Sequence, residues 1–316
     1  PHHHYWDLRV ERTPYGRYLL HELLNDINDH NITSTVFIEA RAMYSADLEK
    51  NYRPVGEVEF VEGLSAASAS GIYGKSRASA SIIGHANLNL GNKVEPILES
   101  LLEASPRRFK GIRHIVAWDD DKKVDSIPVY NLEEQMSTKN FIDGAKVLSK
   151  MGLSFDSWMY FHQLPQLLNL AKEVPDLPII VDHIGGILLI GEYANKKEEI
   201  LKIWEKNISD LSECPNVEIK LGGLGMPITG HYWHLSNTPV GSEELANQMK
   251  YYLDYCIEKF GPQRGMFESN FPVDKVSFSY NVLYNAFKRY SKNYSKSERA
   301  AMFHDNAIRF YKVEEL

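Results

Sequence analysis

The chain has 316 residues, 43% hydrophobic and 24% charged, enough apolar mass for a sizeable core; that excludes intrinsic disorder. With 35 Lys+Arg against 42 Asp+Glu the formal net charge is −7, which disfavours partners recognised through a polyanionic backbone such as nucleic acid. No apolar run nears the roughly 20 residues of a membrane span, no signal-peptide pattern opens the chain, and Cys214 and Cys256 cannot build a disulfide framework. A cytoplasmic protein with no membrane or nucleic-acid partner is the expectation.

The opening Pro1-His2-His3-His4-Tyr5-Trp6-Asp7 has no initiator Met. A purification tag would be longer and followed by a linker, so the segment reads as native, with the true N-terminus expected upstream and a first strand ending near His2. Residues 15–30 have helical spacing, with Tyr18, Leu19, Glu22, Leu23, Asp26 and Ile27 in register. From there β-branched or aromatic runs alternate with helical segments. Strands are predicted at 33–40, 80–88, 109–117, 154–160, 178–184, 217–222 and 265–271. Helices are predicted near 55–68, 93–104, 138–151, 162–174, 196–211, 242–260 and 278–290, with a polar loop after Ala117. A last helix opens on the capping box Ser295-Lys296-Ser297-Glu298.

Eight strand-then-helix units without a Gly-rich phosphate loop predict an α/β fold, a (β/α)8 TIM barrel forming one domain over 1–316. Such a barrel carries its chemistry at the C-terminal ends of its strands. The polar residues collect there: His2 and His4, Glu39 and Arg41, His85 and Asn87, Arg113 and His114, Asp156, Tyr160 and His162, Asp182 and His183, Lys220, and Glu268, Ser269 and Asn270. A histidine-rich, cationic mouth suits a substrate that bears negative charge or develops an oxyanion.

Each candidate has two readings. His2-x-His4 puts two imidazoles on one face of an extended strand, either to grip a metal or as a solvated pair. His183 ends a strongly apolar strand and is a ligand, a base, or a core histidine bonded to a carbonyl. Lys220 interrupts an apolar run and either works inside the barrel or snorkels outward. Arg113 offers a bidentate fork to a carboxylate or carbonyl, or closes a structural ion pair. Glu39 and Asp182 are candidates for holding histidine tautomers. His85, His114, Tyr160 and His162 are candidate substrate contacts.

The ordered set PHHHYWD, FKGIRH, VDHIGG, VEIKLGGLGMP and MFESNFPVDK resembles the amidohydrolase-related family of metal-dependent TIM-barrel hydrolases, in the branch with sugar and dicarboxylate lactonases. The resemblance spans essentially the whole chain. It implies a distorted barrel that cleaves a cyclic ester, with His2 and His4 as the first-strand metal pair and His183 as the sixth-strand metal histidine. Relatives place an aspartate, as base or ligand, where this chain has Asn270. A neutral amide cannot take a proton from water near pH 7, so Glu268, Asp274 or a histidine is expected to replace it. In that reading Arg113, Lys220 and the His2/His4 pair stabilise the oxyanion and Asn270 contacts substrate. One divalent, zinc-like ion is implied, with a metal-free mechanism as the alternative.

The expected function is a hydrolase opening a lactone of a small carboxylate- or sugar-derived metabolite. The alternatives are a metal-dependent decarboxylase of a small aromatic acid and a non-catalytic metabolite-binding barrel. A homo-oligomer is compatible with the sequence, though nothing in it specifies one.

Overall fold

The computed structural model describes residues 2–8, 15–121, 123–124 and 132–314. Part of the polar loop expected after Ala117 lies outside those residues. A two-stranded antiparallel ribbon, β1 (Trp6–Asp7) with β2 (Arg17–Tyr18), comes first; the sequence pattern did not disclose it. The helix predicted over 15–30 follows in shorter form as α1 (Leu20–Ile27), because Arg17–Tyr18 at its expected start are taken by the ribbon.

The body is a seven-stranded parallel sheet in strict sequence order: β3 (Ser34–Ile38), β4 (Arg77–Gly84), β5 (Phe109–Ile115), β6 (Ser154–Trp158), β7 (Ile179–Val181), β8 (Val217–Leu221) and β9 (Gly265–Phe267). The intervening helices are α2 (Val55–Ala69), α3 (Glu95–Ala104), α4 (Lys139–Lys150), α5 (Leu164–Glu173), α6 (Lys197–Ser212), α7 (Ser242–Phe260) and α8 (Tyr280–Tyr290). Each lies where the apolar spacing placed it. Their ends follow local chemistry: the Thr138 hydroxyl accepts from Phe141 N–H, Ser279 accepts from Val282 N–H, and α7 stops at Gly261 with φ 74°.

The eighth position in the sheet is filled by the opening residues. His3 bridges Phe37 on one side and Phe271 on the other, both parallel. His4 N–H donates to Phe271 O at 2.8 Å, Ile38 N–H to His3 O at 2.9 Å, and Asn270 N–H to His2 O at 3.0 Å. The sheet thus curls into a distorted (β/α)8 barrel whose seam is a short histidine strand.

The barrel wall reads as continuous apolar runs, as a parallel sheet covered on its outer face requires. Val36, Ile38, Ile83, Ile180 and Met266 form a separate apolar cluster with Phe310, which ends the C-terminal helix (Asn306–Phe310), and with Tyr311 after it. A cavity of about 490 Å³ runs down the wall from His2 along Thr33–Val36, between β3 and residues such as Phe303 and Ile308. Its lining also includes His3, Ser269, Tyr280 and Tyr284.

Candidate functional site

Three consecutive histidines divide between two faces of the seam. His3 turns away from the barrel axis, its Nε2 2.9 Å from Thr35 Oγ1. His2 and His4 turn inward together, with Nε2 atoms 3.2 Å apart. His4 Nδ1–H donates to Ile38 O at 2.9 Å, so its Nε2 presents a lone pair. Asn270 completes the group: its Nδ2 donates to Asp274 Oδ1 at 2.7 Å, which aims Oδ1 at His4 Nε2, 3.2 Å away. Burial, then Arg113, lowers the His4 pKa to about 3, and burial with Lys220 lowers that of His2. Both rings are therefore neutral at physiological pH.

Glu268 reaches both inward histidine groups. Its Oε1 accepts from the backbone N–H of His183 at 3.0 Å and from Nδ1 of the same residue at 2.7 Å. Its Oε2 lies 2.7 Å from His2 Nδ1, without a well-aligned hydrogen bond. A carboxylate holding the Nδ1 side of an imidazole fixes Nε2 as the open atom.

His183 stands on an unusual turn. Its φ is 54°, that of Ile184 is 52°, and Gly185 and Gly186 follow with positive φ. Left-handed non-glycine residues in succession are strained and persist only where surroundings over-determine them. Here Trp204 Nε1 donates to Ile184 O at 2.7 Å, and a Cβ on Gly186 would sit 1.9 Å from Met159 O. Gly223 is needed for similar reasons: a Cβ there would meet the His183 ring at 2.5 Å.

Beneath the histidines lies a buried lattice of charge. Lys220, fully buried, contacts Asp156 Oδ2 at 2.6 Å, Asp182 Oδ1 at 2.7 Å and His2 Nδ1 at 3.1 Å. Arg113 donates from Nε to Glu39 Oε1 at 2.9 Å, from Nη2 to Glu39 O at 2.6 Å, and from Nη1 to Asp182 Oδ2 at 3.3 Å. Tyr311 O–H caps Asp156 Oδ2 at 2.7 Å. Burial works against ionisation of Asp182, but Lys220, His183 and Arg113 outweigh it and hold the carboxyl at about 2. Burial raises Asp156 to about 6 despite Lys220. Lys220 thus points inward, and it is fully engaged.

Asp274 differs from the other carboxylates. Burial raises its pKa to about 7, opposed mainly by His183 and by the N–H of Gly225, which donates to Oδ2 at 2.9 Å. It is a buried carboxyl poised at neutrality, linked to His4 through the Asn270 amide.

The other residues singled out in the sequence separate. His85 donates from Nδ1 to Arg113 O at 3.1 Å and faces the mouth, half-buried. His114 is buried: Leu88 N–H reaches its Nδ1 at 3.3 Å, and Gln135 and Phe141 pack on its ring. Tyr160 is buried and donates to Val124 O at 3.2 Å. His162 sits at the rim with Asp119, 3.0 Å from its Oδ2. Residues the sequence did not flag include Tyr311, far from any motif, and Glu57, whose Oε1 receives the N–H groups of Ala40 and Ala42.

His2, Asp182 and His183 each offer a ligand atom within 4.8 Å of the others, and all three are buried. The family model described as amidohydrolase matches residues 1–313. The chain belongs to the amidohydrolase family. This amidohydrolase is 29% identical over 331 residues, 99% of its own chain and 97% of the other, to the uncharacterized protein y4mH of Sinorhizobium fredii. It is 25% identical over 193 residues to an L-fucono-1,5-lactonase of Burkholderia multivorans, covering 59% of this chain and 62% of that one. In fold it resembles an amidohydrolase from Burkholderia multivorans solved with bound Hepes, with TM-score 0.76 and 21% identity, over 99% of this chain and 98% of that one. The form of that protein with bound zinc gives TM-score 0.75 and 21% identity, over 98% and 97%. Among the described residues no helix is long and apolar enough to cross a membrane.

Proposed function

We propose that this amidohydrolase opens a lactone, or a similar cyclic ester of a small carboxylate- or sugar-derived metabolite, by water attack at the centre of the barrel mouth. One observation carries the reading: His2, Asp182 and His183 each offer a buried ligand atom within 4.8 Å of the others, and His4 Nε2 lies 3.2 Å from both His2 Nε2 and Asn270 Oδ1. With Nδ1–H committed to Ile38 O, His4 Nε2 is a buried lone pair open to a cation or a substrate proton. Two nitrogens on one tetrahedral zinc, each about 2.0–2.1 Å from it, are about 3.3 Å apart, so the donor set fits such an ion. His2, His4 and His183, with Asp182 beside them, would hold it; when bound, it supplies a Lewis acid and lowers the pKa of a water.

The chain's own groups supply the rest. Asp274, near pH 7 in its titration, is the group placed to accept a proton from the attacking water, with Asn270 orienting the carboxylate. Glu268 takes up both histidines and acts by fixing their tautomers; it is not the base in this reading. Arg113 and Lys220 hold Asp182 between them and maintain the positive field at the developing oxyanion. The partial sequence similarity to an L-fucono-1,5-lactonase supports an ester ring as substrate.

The test is acid release, followed with a pH indicator, over a panel of sugar and dicarboxylate lactones with the zinc-loaded protein. Turnover of any member that falls on chelation and returns with zinc is the expected result. A silent panel overturns the lactonase reading.

A further inference from the structure

At the end of β3 the backbone makes a turn that presents one guanidinium to the mouth. Arg41 follows Glu39 and Ala40 and has φ 57°, a left-handed conformation that an arginine adopts only when held there. What holds it is Glu57: one carboxylate oxygen takes the N–H of Ala40 at 3.0 Å and of Ala42 at 2.8 Å, the two residues flanking Arg41. Gly56 lets the next stretch pack closely on α2, since a Cβ there would meet Met43 O and Ser45 N at 2.8 Å. The turn is built, and its product is a half-buried arginine.

Among the described residues no hydrogen bond or ion pair engages the Arg41 guanidinium. The neighbouring carboxylate, Glu39, gives one oxygen to Arg113 Nε; it feels the charge of Arg41 but makes no hydrogen bond or ion pair with it. Glu57 is no counter-ion at neutral pH, because burial and then Glu39 raise its pKa to about 8. Three residues on, the Tyr44 hydroxyl is buried without a partner. Beside this turn stands His85, whose Nδ1–H is spent on Arg113 O, leaving Nε2 as an acceptor. Burial lowers the basicity of His85 and of its neighbour His114, and the charge of Arg41 adds to it, so both lie within the electrostatic reach of Arg41.

We infer that Arg41 is the receiver for a carboxylate of the substrate, with His85 Nε2 accepting from an adjacent hydroxyl, so that the preferred substrate is a lactone that keeps a free carboxylate. This rests on the lactonase reading and narrows it, since a neutral sugar lactone leaves Arg41 unused. A guanidinium suits the task because its planar fork matches a carboxylate bidentately.

The experiment has two arms. In the first, paired lactones with and without a free carboxylate are assayed with wild type, Arg41→Met and Arg41→Lys, each checked for an unchanged melting temperature. Arg41→Met should raise KM for the carboxylate members by about 10–100-fold, leave kcat within about 3-fold, and leave neutral members unaffected, with partial recovery in Arg41→Lys. In the second arm, glutarate is titrated calorimetrically against zinc-loaded wild type and Arg41→Met. Binding should weaken by about 10-fold or more in the variant, and the loss should shrink in high salt. Equal turnover of neutral and charged lactones, or glutarate binding untouched by Arg41→Met, overturns the inference. A silent lactone panel with Arg41-dependent glutarate binding removes the lactonase reading and keeps the carboxylate receiver.

Discussion

At the rim of the mouth His162 Nε2 meets Asp119 Oδ2 at 3.0 Å, and Tyr193 O–H donates to the same oxygen at 2.7 Å. At the centre, a few residues away along the strand ends, His2 Nε2 and His4 Nε2 meet each other, and Asn270 Oδ1 meets His4. The residue types are the same, histidine beside carboxyl or amide. At the rim each acceptor has its donor and the pair is complete. At the centre the ligand atoms of His2, Asp182 and His183 converge, with His4 beside them, over a lattice of ion pairs. Two histidines and an acid are common on proteins; ligand atoms of three buried residues converging within 4.8 Å mark a candidate site.

The sharpest break of this contrast is His183→Asn, expected to lower kcat/KM by about 10⁴-fold with an unchanged circular dichroism spectrum. Near-normal turnover in that variant removes His183 from the chemistry. Lys220→Met strands Asp156 and Asp182 in the interior, and chemical denaturation should show a loss of about 3–5 kcal/mol. A loss below about 1 kcal/mol would mean the lattice is not what fixes the centre.

Asp274→Asn should reduce kcat by about 10²-fold, and its stability effect has the opposite sign. The folded pKa of about 7 lies above the ordinary carboxyl value of 3.8, so folding favours the protonated form. The native aspartate therefore costs stability increasingly from about pH 4 to about pH 7, and Asp274→Asn should raise the melting temperature at pH 8 more than at pH 4. In wild type, kcat should fall as pH drops below about 7; a flat profile from pH 5 to 8 would exclude Asp274 as the base. Tyr311→Phe removes the buried hydroxyl on Asp156 and should cost about 1–3 kcal/mol, with kcat/KM changed far less than in His183→Asn. Smallest of all, His162→Gln at the rim should alter stability by less than about 1 kcal/mol and kcat/KM by less than about 3-fold.

Much of the architecture was legible because a buried parallel sheet writes itself as apolar runs and its helices as 3.6-residue stripes: α7 begins at Ser242 and stops before Gly261 as its boundary residues announce. The ribbon of Trp6–Asp7 with Arg17–Tyr18 was not legible, since two residues per strand carry no period. In the site, the inward pairing of His2 and His4 followed from strand alternation alone. What the sequence left open was how each charge is spent. Whether Lys220 snorkels or pairs depends on Asp156 and Asp182 arriving from two other strands. Strand alternation put Glu268 on the face of Asn270 and so ahead of Asp274 as the expected base; with their neighbours in place, Glu268 is taken up by two histidines and burial raises Asp274 to about 7. Tyr311 had no local signal, because its role exists only where the C-terminal helix meets the barrel floor. Arg41 was visible as a strand-end residue, but its lack of a partner is a three-dimensional fact.

The histidine seam also bears on the order of events during synthesis. His3 pairs with Phe37, near one end of the sequence, and with Phe271, near the other, so the last edge of the barrel is long-range by construction. Such contacts come late, because the entropy of closing the intervening chain must be met before they are rewarded. A nascent chain that has not yet delivered Phe271 has neither a closed wall nor the Asn270 amide beside His4. The grouping of His2, His4 and Asn270 is thereby withheld until the segment that carries Phe271 has joined the seam, so an assembled mouth doubles as a report that the barrel has closed.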